Sequence, residues 1–595
     1  MRLLHLVLLF IFCKVQGQTS SKAVILSPLE VPLNVVSAYG EIRPNHFHSG
    51  IDLSTFGKSQ RVIAAAEGYI SRIRKSAQGY GNVIYIDHPS GITTVYAHLE
   101  SFTEPLENFV KQAQLKNRRF EFDTILNEAM FQVKSGEFIA MSGNSGSSSA
   151  PHLHFEVRDQ QFENTINPLL FNFSKNDITP PVIRSVAFYP KENEGTVNML
   201  NSKLFLPLVL NKKTKKKGLS TKVKMPVLSG WVSFGFQGGD VIEKKSHLSG
   251  IYEIKVAVDS QLIYKSRLDQ FSFSETRNVN AFIDYASKVK LKRTVNHCVV
   301  PQNQMIGIFK QHQDQGYYFF NEDKVYSITY TLTDISGNIT VQSIKVKGKR
   351  FLGLPSTPDL NQNFSIIPPS QEIVLEREGA EVTFFEESLF DTTNVKFIRR
   401  PQPTKLSDLY EVGSVYTPVN QAFKIRIRLT SPTLLPKEKY TIVRLSGKSK
   451  EALPTEISGD WLTSYSDEFG DFTIQADTIA PSISRIASVS KVSTVKKKKG
   501  KKRKKTVVVA LPLKAEGVIK FKISDALSGV NQINAWLNDE WVLLEPGAGI
   551  NEWKFKFPEN LTEGEHTFQI EAIDKSENSR FMQFCPEKTV TTLSP

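Results

Sequence analysis

Short runs of alternating apolar and polar residues recur along most of the chain. In the first part they lie at residues 62–66, 69–74, 82–87, 93–97, 138–142 and 152–158. Glycine-rich turns separate them. Successive side chains of a strand point to opposite faces of the sheet, so this two-residue period predicts half-buried β-strands. We therefore predict an all-β, multidomain fold whose first domain covers residues 18–175.

The strand pattern of this first domain is interrupted between Leu99 and Val133. Residues 106–116 have apolar side chains at helical spacing and predict a short amphipathic helix, and residues 120–123 predict an additional strand. We interpret residues 101–132 as an insertion. The insertion begins three residues after His98. It either packs over or beside a functional cleft or forms a surface loop.

The remainder of the chain repeats a set of turn signals. Three motifs each occur twice, at residues 177–183 and 477–483, at 248–251 and 527–530, and at 334–338 and 574–578. Each copy starts at a proline that ends a linker and closes in a tight Asp/Asn turn. We predict two diverged Ig-like β-sandwich modules, at residues 176–349 and 477–585. A third β-rich module is predicted at residues 350–476, and residues 586–595 form a tail.

The N-terminal residues 1–17 have the pattern of a signal peptide. Arg2 precedes the apolar run of residues 3–12, which is too short to cross a hydrocarbon core of about 30 Å. Cleavage before Gln18 would export the protein to the periplasm, the envelope or the medium. Cys13 suggests lipid attachment as an alternative, but Phe12 is bulky where lipidation motifs carry a small residue. The sequence contains no other apolar run of transmembrane length.

The formal net charge of +14 in this chain of 595 residues is concentrated in two short runs. Residues 212–217 contain five lysines, and residues 496–505 contain nine basic residues. Together their positive charges equal the net charge of the whole chain. The basic character is therefore local and does not indicate nucleic-acid binding. The runs are either solvated loops without a partner or sites of electrostatic retention on envelope polyanions, such as wall polymers or lipid headgroups.

Cysteine offers no route to a metal site. Only Cys298 and Cys585 follow the predicted cleavage site, which excludes a disulfide framework and a thiolate zinc motif, and whether the two pair is open. Any metal ligands must therefore be histidines and carboxylates.

Histidines are concentrated in three motifs of the first domain, His48-Ser-Gly-Ile-Asp52, Tyr96-Ala-His98-Leu99 and His152-Leu-His154. Residues i and i+2 of a strand lie on one face about 7 Å apart, so the last two histidines face one cleft. Residues i and i+4 of a straight strand are about 13 Å apart, so the chain must bend at Ser49-Gly50 if both ends of the first motif bind one metal.

Two histidines and one carboxylate would leave one tetrahedral position of a zinc ion open for water, as in catalytic zinc sites. Other divalent metals remain compatible with these residue types. His46 shares a strand face with His48 and is either an additional contact of the site or an ordinary residue. The other histidines are expected to be ordinary surface or core residues.

The segments at residues 43–52, 79–83, 96–99, 143–146 and 151–156 together resemble the lysostaphin-type (LytM-like) zinc metallopeptidases. The resemblance extends over residues 37–158. It implies a duplicated-hybrid-motif, β-barrel-like domain and hydrolysis of peptide bonds in the stem or cross-link peptides of peptidoglycan.

Carried over residue by residue, the resemblance makes His48, Asp52 and His154 the ligands of one zinc ion. It makes His98 and His152 the catalytic histidines, without saying which is the general base. Glu156 is left outside this set, as either a residue that orients His154 or a surface residue.

The predicted function is that of an exported zinc metalloendopeptidase acting on peptidoglycan. Some members of the family that the chain resembles have lost zinc ligands and only activate amidases. In this chain all three expected ligands and both expected catalytic histidines are present. Two alternatives stay open: a zinc-retaining but inactive activator or binding protein, and a secreted peptidase directed at proteins. No Gram-positive wall-binding module is recognisable, which favours direct cross-links over oligoglycine bridges as the substrate. The oligomeric state is open.

Overall fold

The structure is a computed structural model that describes residues 24–171, 173, 177–210, 217–220, 223–241, 248–302, 307–353, 363–430, 435–486, 489–498, 501–510, 517–558 and 566–584. The predicted signal peptide, Cys585, the predicted tail and most of the first lysine run lie outside these residues. Strands dominate every part that is described, so the predicted all-β, multidomain fold is confirmed.

The first part of the chain is built around one large twisted sheet. The strands of this part are β1 (Val35–Ser37), β2 (Ile42–Arg43), β3 (His46–Phe47), β4 (Ile51–Ser54), β5 (Arg61–Ile63), β6 (Gly68–Lys75), β7 (Asn82–Asp87), β8 (Ile92–Phe102), β9 (Phe122–Ile125), β10 (Gln132–Val133), β11 (Phe138–Ser142), β12 (His152–Asp159) and β13 (Thr165–Ile166). β2 and β3 pair only with each other, and the other strands belong to the large sheet. The main strand order is β1-β4-β12-β8-β7-β6-β10, and β11 pairs with β5 and β8. A 3₁₀ turn follows at Pro168–Phe171.

The central strands of this sheet are buried on both faces. In β7 and β8, Ile84, Ile86 and Tyr96 join the main core, whereas Val83 and Val95 form a small second cluster on the opposite face. The alternation in the sequence predicted half-buried strands, whereas apolar residues of these two strands are buried on both faces of the sheet.

The insertion forms the helix α1 (Glu104–Asn117) followed by β9. Pro105 lies in the first helical turn, where a missing N–H costs nothing, and the chain leaves the helix at Arg118 in a left-handed conformation. The helix therefore extends slightly beyond the predicted residues 106–116. Both β9 and β10 pair with β6, so the insertion widens the sheet at the edge opposite β1 and β4.

The next part contains a second large sheet. The strands of this part are β14 (Val182–Val197), β15 (Leu204–Leu210), β16 (Lys217–Leu219), β17 (Val227–Gly239), β18 (Glu253–Val258), β19 (Gln261–Arg267), β20 (Gln270–Phe271), β21 (Asn296–His297), β22 (Phe309–His312), β23 (Tyr318–Phe320), β24 (Val325–Thr333) and β25 (Ile339–Gly348). All of them except β20 belong to the second sheet of this part. Its helical segments are Phe273–Asn278, α2 (Val279–Phe282), α3 (Tyr285–Leu291) and Asp314–Gly316. β20 pairs with β13 of the first sheet, and one hydrophobic core runs through both parts.

Residues 364–476 form a sandwich of two sheets with its own core. The strands are β26 (Phe364–Ile367), β27 (Ile373–Arg377), β28 (Ala380–Phe384), β29 (Thr393–Arg400), β30 (Leu409–Val412), β31 (Phe423–Arg428), β32 (Tyr440–Ser446), β33 (Ser449–Ala452), β34 (Glu456–Ser458), β35 (Trp461–Ser466) and β36 (Gly470–Ala476). One sheet has the order β26-β29-β30-β36-β32-β33 and the other β27-β28-β31-β35-β34. A short 3₁₀ turn lies at Lys437–Lys439.

The last part has a third separate core between two four-stranded sheets. Its strands are β37 (Ser482–Ile486), β38 (Val489–Lys498), β39 (Lys501–Ala510), β40 (Val518–Ser524), β41 (Val530–Leu537), β42 (Glu540–Trp541), β43 (Glu545–Pro546), β44 (Glu552–Lys556), β45 (Phe568–Asp574) and β46 (Ser579–Phe584). The Ig-like description of this part and of residues 176–349 stays a prediction, as do the domain boundaries.

The described residues of the second lysine run, 496–498 and 501–505, lie in the paired strands β38 and β39 rather than in an irregular loop. Valine and threonine flank the lysines along both strands, and these β-branched residues favour an extended backbone. In the described part of the chain, no helix is long and apolar enough to cross a membrane.

Candidate metal centre

Neighbouring strands bring the predicted site residues together. Asp52 on β4 is paired directly with His154 on β12, and β12 is paired on its other side with β8, which carries His98. His48 lies just before β4, and the bend that the sequence predicts follows it at Ser49 and Gly50. At this bend a Cβ on Gly50 would lie 2.3 Å from the carbonyl oxygen of Phe155, so glycine is required for the close approach to β12.

Three atoms of His48, Asp52 and His154 converge on one point. His48 Nε2, Asp52 Oδ1 and His154 Nδ1 lie 3.0 Å from one another, and all three residues are buried. Ligands at roughly 2.0–2.1 Å from a tetrahedral zinc ion are about 3.3 Å apart, so the triangle closely fits such an ion. Two imidazoles and one carboxylate are also ligand types that zinc prefers.

The second ring nitrogen of each of these histidines is bonded to a protein oxygen. His48 Nδ1 lies 2.8 Å from the carbonyl oxygen of Ala38, which can only accept, so Nδ1 carries the proton and Nε2 keeps its lone pair. His154 Nε2 lies 2.9 Å from Glu156 Oε1 and donates to it in the same way, which leaves Nδ1 for a metal. These bonds orient both rings for metal binding.

The Asp52 carboxylate is held ionised by its surroundings. Burial alone would raise its pKa, but the neighbouring rings of His48, His152 and His154 lower the pKa far below the usual aspartate value. Its second oxygen, Oδ2, accepts a hydrogen bond from the guanidinium of Arg43 at 3.2 Å. The carboxylate therefore offers Oδ1 as an anionic ligand.

Glu156 lies behind His154 and is completely buried. Its Oε1 accepts from His154, from Ser49 Oγ at 2.5 Å and from Tyr80 OH at 2.5 Å. Its Oε2 accepts from Arg158 Nε at 2.7 Å. Burial would raise the pKa of Glu156, but the charge of Arg158 and the bond from His154 lower it well below the usual glutamate value. Glu156 is thus a buried anion in contact with His154 and not a surface residue.

His98 and His152 lie beside the three-atom triangle. Their ring centroids are 4.8 Å apart, and His152 Nε2 is 3.4 Å from Asp52 Oδ1. The Nδ1 of His98 is 2.8 Å from the carbonyl oxygen of Ser145, and that of His152 is 2.8 Å from the carbonyl oxygen of Ala150. Each ring therefore leaves Nε2 available. Burial and the neighbouring histidines lower the pKa of His98 to about 3, so this ring is neutral at physiological pH.

A break in strand β8 places His98 on the side of the site. In a regular strand it would share a face with Tyr96, which contacts Phe155 in the core. His98 instead has a φ of 59°, and the pairing of β8 shifts register with both β7 and β11 near this point. A left-handed backbone is unfavourable for a residue with a side chain, and such conformations cluster at functional sites.

Other residues around the site were not assigned by the sequence. Arg43 and Tyr80 belong to recognised segments, but nothing in the sequence indicates that one bonds Asp52 and the other Glu156. His46, for which a contact of the site was one of two predictions, is exposed, and its Nδ1 bonds to the carbonyl oxygen of Pro44 instead of joining the triangle.

The second part of the chain supports the strand that leads to His48. Phe47 packs against the rings of Phe271 and Phe282, and its backbone N–H donates to Thr276 Oγ1 at 2.9 Å. The segment that carries His48 is therefore fixed on one side by residues far away in sequence.

Two regions of the chain match sequence models of known families. Residues 46–115, which include His48, Asp52 and His98, match peptidase family M23. Residues 365–477 match the Zu5-like domain.

Three curated relatives match parts of the chain. An uncharacterized metalloprotease of Haemophilus influenzae is 32% identical over 163 residues, which are 26% of this chain and 28% of the relative. DD-carboxypeptidase/endopeptidase Mpg of Neisseria meningitidis is 32% identical over 111 residues, or 19% of this chain and 20% of the relative. Murein hydrolase activator NlpD of Escherichia coli is 32% identical over 124 residues, or 21% of this chain and 26% of the relative. The matches thus span less than a third of each relative.

Proposed function

The chain carries a domain of peptidase family M23, and from this we propose that it is a zinc-dependent endopeptidase that hydrolyses peptide bonds of peptidoglycan outside the cytoplasm. The observation that supports this most strongly is the triangle of His48 Nε2, Asp52 Oδ1 and His154 Nδ1, each 3.0 Å from the others. Two further histidines lie beside it, which a purely structural metal site would not require.

We assign the zinc to His48, Asp52 and His154. When bound, zinc is a Lewis acid that polarises a peptide carbonyl group and makes water more acidic. Three protein ligands leave room for water or substrate, as in other catalytic zinc sites. The hydrogen bonds of His48 to Ala38 and of His154 to Glu156 keep the two rings in the tautomers that this role needs.

His98 and His152 are proposed as the groups that move protons. Each bonds a carbonyl oxygen through Nδ1–H, so each has an Nε2 that can accept a proton from the attacking water. A histidine that has accepted this proton can then donate a hydrogen bond to the carbonyl oxygen as that atom gains negative charge, or protonate the leaving amine. We assign these roles to the pair jointly.

The names of two relatives support peptidoglycan as the substrate. One is a DD-carboxypeptidase/endopeptidase and the other a murein hydrolase activator. The second name also keeps the alternative that the chain is an activator without hydrolytic activity. The complete set of five residues favours hydrolysis.

Digestion of purified sacculi distinguishes the alternatives. We expect the protein to release muropeptides whose masses identify the bond cleaved, and we expect His152→Ala to release none. His46→Ala is the matched control, since His46 is exposed and lies two residues from His48. An activator would release nothing alone but would stimulate an added amidase. A peptidase directed at proteins would leave sacculi intact and digest casein.

A further inference from the structure

Three aspartates meet where the first domain joins the second part of the chain. Asp177, Asp240 and Asp334 each offer a carboxylate oxygen within 4.8 Å of the others. Asp177 lies in the segment that leads into β14, Asp240 directly follows β17 and Asp334 directly follows β24. Asn338 connects two of these aspartates, because its side chain donates to Asp334 Oδ2 and to the carbonyl oxygen of Asp177, both at 2.8 Å.

The last part of the chain contains the same arrangement. Asp477, Asp525 and Asp574 also offer oxygens within 4.8 Å of one another. Asp477 directly follows β36, Asp525 directly follows β40 and Asp574 ends β45. Asn578 donates to Asp574 Oδ2 at 2.8 Å and to the carbonyl oxygen of Asp477 at 3.1 Å. Two diverged copies have thus kept the same three carboxylates at the same end of the module.

The second cluster contains buried oxygen atoms that lack a partner. Asp525 Oδ2 accepts from the N–H groups of Leu527 and Gly529, but Asp525 Oδ1 is buried and has no hydrogen-bond partner. Ser528 is only 8% exposed and donates its N–H to Asp477 Oδ2 at 3.0 Å, yet its Oγ is also buried without a partner. Such atoms are destabilising unless a bound ion or water satisfies them.

The negative charge of the clusters is not neutralised by lysine or arginine in the described residues. None of the ion pairs formed there includes any of the six aspartates. Lys439 lies close to the second cluster, but its ammonium group donates to the carbonyl oxygen of Ser576 and to Asn578 Oδ1. In the first cluster, burial raises the pKa of Asp240 to about 7, and the charges of Asp334 and Asp177 add to this effect.

We propose that each cluster binds one calcium ion, which ties the leading segment of its module to two loops of that module. The ligands are oxygen atoms only, which suits a hard cation and not zinc. Carboxylates from three separate segments suit the large and adaptable coordination shell of calcium, whereas magnesium requires a small octahedral shell and keeps most of its waters. In both copies the ion would fix the orientation of the module relative to the part of the chain that precedes it.

Calcium titration of the zinc-loaded full mature chain tests this proposal. Isothermal titration with CaCl2 should give two calcium ions per chain, one for each cluster. Asp240→Asn and Asp525→Asn should each leave one ion bound, and the double variant none. Asp539→Asn, which removes the same charge at an exposed position outside both clusters, should leave two. Absence of calcium binding by the parent chain would overturn the proposal, and an equal response to MgCl2 would overturn the choice of calcium.

The unfolding temperature of Asp525→Asn, measured with and without calcium, distinguishes an aspartate that binds an ion from one with a purely structural role. Without calcium, Asp525→Asn should unfold at the same or a higher temperature than the parent, because it removes a repelling charge. With saturating calcium, it should unfold at a lower temperature, because the parent alone gains the ion at this cluster. A variant that is destabilised equally with and without calcium would contradict the proposal. These measurements do not depend on zinc or hydrolysis, so their failure would leave the proposed function untouched.

Discussion

His48 and His154 use their two ring nitrogens for different purposes. In each ring one nitrogen belongs to the three-atom triangle and the other donates to a protein oxygen, Ala38 O or Glu156 Oε1. The carbonyl of Ala38 is neutral, whereas Glu156 is an anion that Arg158 balances. The ring of His154 should therefore depend more strongly on its hydrogen-bond partner than the ring of His48.

Replacing Glu156 should weaken zinc binding without abolishing it. In Glu156→Gln the side chain keeps its size, but His154 loses an anionic acceptor and Arg158 loses its counter-ion. Loss of such a partner typically lowers metal affinity by about 10–100-fold. Competition with a chromophoric chelator measures the affinity, and Glu121→Gln, at an exposed glutamate, is the matched control. An unchanged zinc affinity in Glu156→Gln would show that the hydrogen bond to His154 does not contribute.

At the scale of elements, the alternation of apolar and polar residues predicted the strands of the first sheet well, because this two-residue period is visible within the sequence of each strand. The bend before β4 was predicted from the distance between His48 and Asp52, and Gly50 occupies it. The position of His98 could not be predicted from alternation, because a left-handed residue and two register shifts move it to the opposite face. Such a break arises from pairing with distant strands, which leaves no mark on the local pattern.

The contacts of Glu156 were also beyond sequence reasoning. Glu156 lies two residues after His154, so it was predicted on the same face of the strand. This spacing does not distinguish a buried partner from a surface carboxylate. Tyr80, Ser49 and Arg158 enclose it from three separate segments. The second lysine run was predicted to be a loop because of its dense positive charge. Its described residues instead lie in the paired strands β38 and β39, where the flanking β-branched residues favour an extended backbone.

The bend at Gly50 should tolerate no side chain. A Cβ there would meet Phe155 O at 2.3 Å and Glu156 Cγ at 2.8 Å. Gly50→Ala should therefore separate β4 from β12, destabilise the fold by about 1–3 kcal/mol and weaken zinc binding. Thermal unfolding and metal analysis measure both effects. Gly218→Ala is the control, because nothing lies within 4 Å of a Cβ at that position. A Gly50→Ala variant with the parent's unfolding temperature and zinc content would contradict this account of the bend.

At the scale of the whole molecule, the candidate metal centre lies in the first of four strand-rich parts of the chain. The first two parts share a continuous core, whereas the last two have separate cores. Contacts also connect distant parts: Arg277 bonds to Asp467, and Phe120 of the insertion packs against Trp553. The third part of the chain therefore contacts the second part, and the last part contacts the insertion of the first part.

The second lysine run is expected to retain the protein on the envelope. Each basic residue near an anionic surface adds about 1 kcal/mol, and salt screens this attraction beyond a Debye length of about 8 Å. Replacing the nine basic residues of 496–505 with serine or glycine should weaken co-sedimentation with envelopes at low salt and leave hydrolysis of soluble fragments unchanged. Equal co-sedimentation of variant and parent at low salt would show that the run is only solvated.

The central claim is that three residues hold zinc while two neighbouring histidines carry out proton transfer. The most direct test measures zinc content and sacculus hydrolysis together in His154→Ala and His152→Ala. We predict that His154→Ala loses both, whereas His152→Ala keeps one zinc per chain and loses about 10²- to 10⁴-fold in rate. Loss of zinc from both variants alike, or hydrolysis by His154→Ala at the parent's rate, would contradict the assignment.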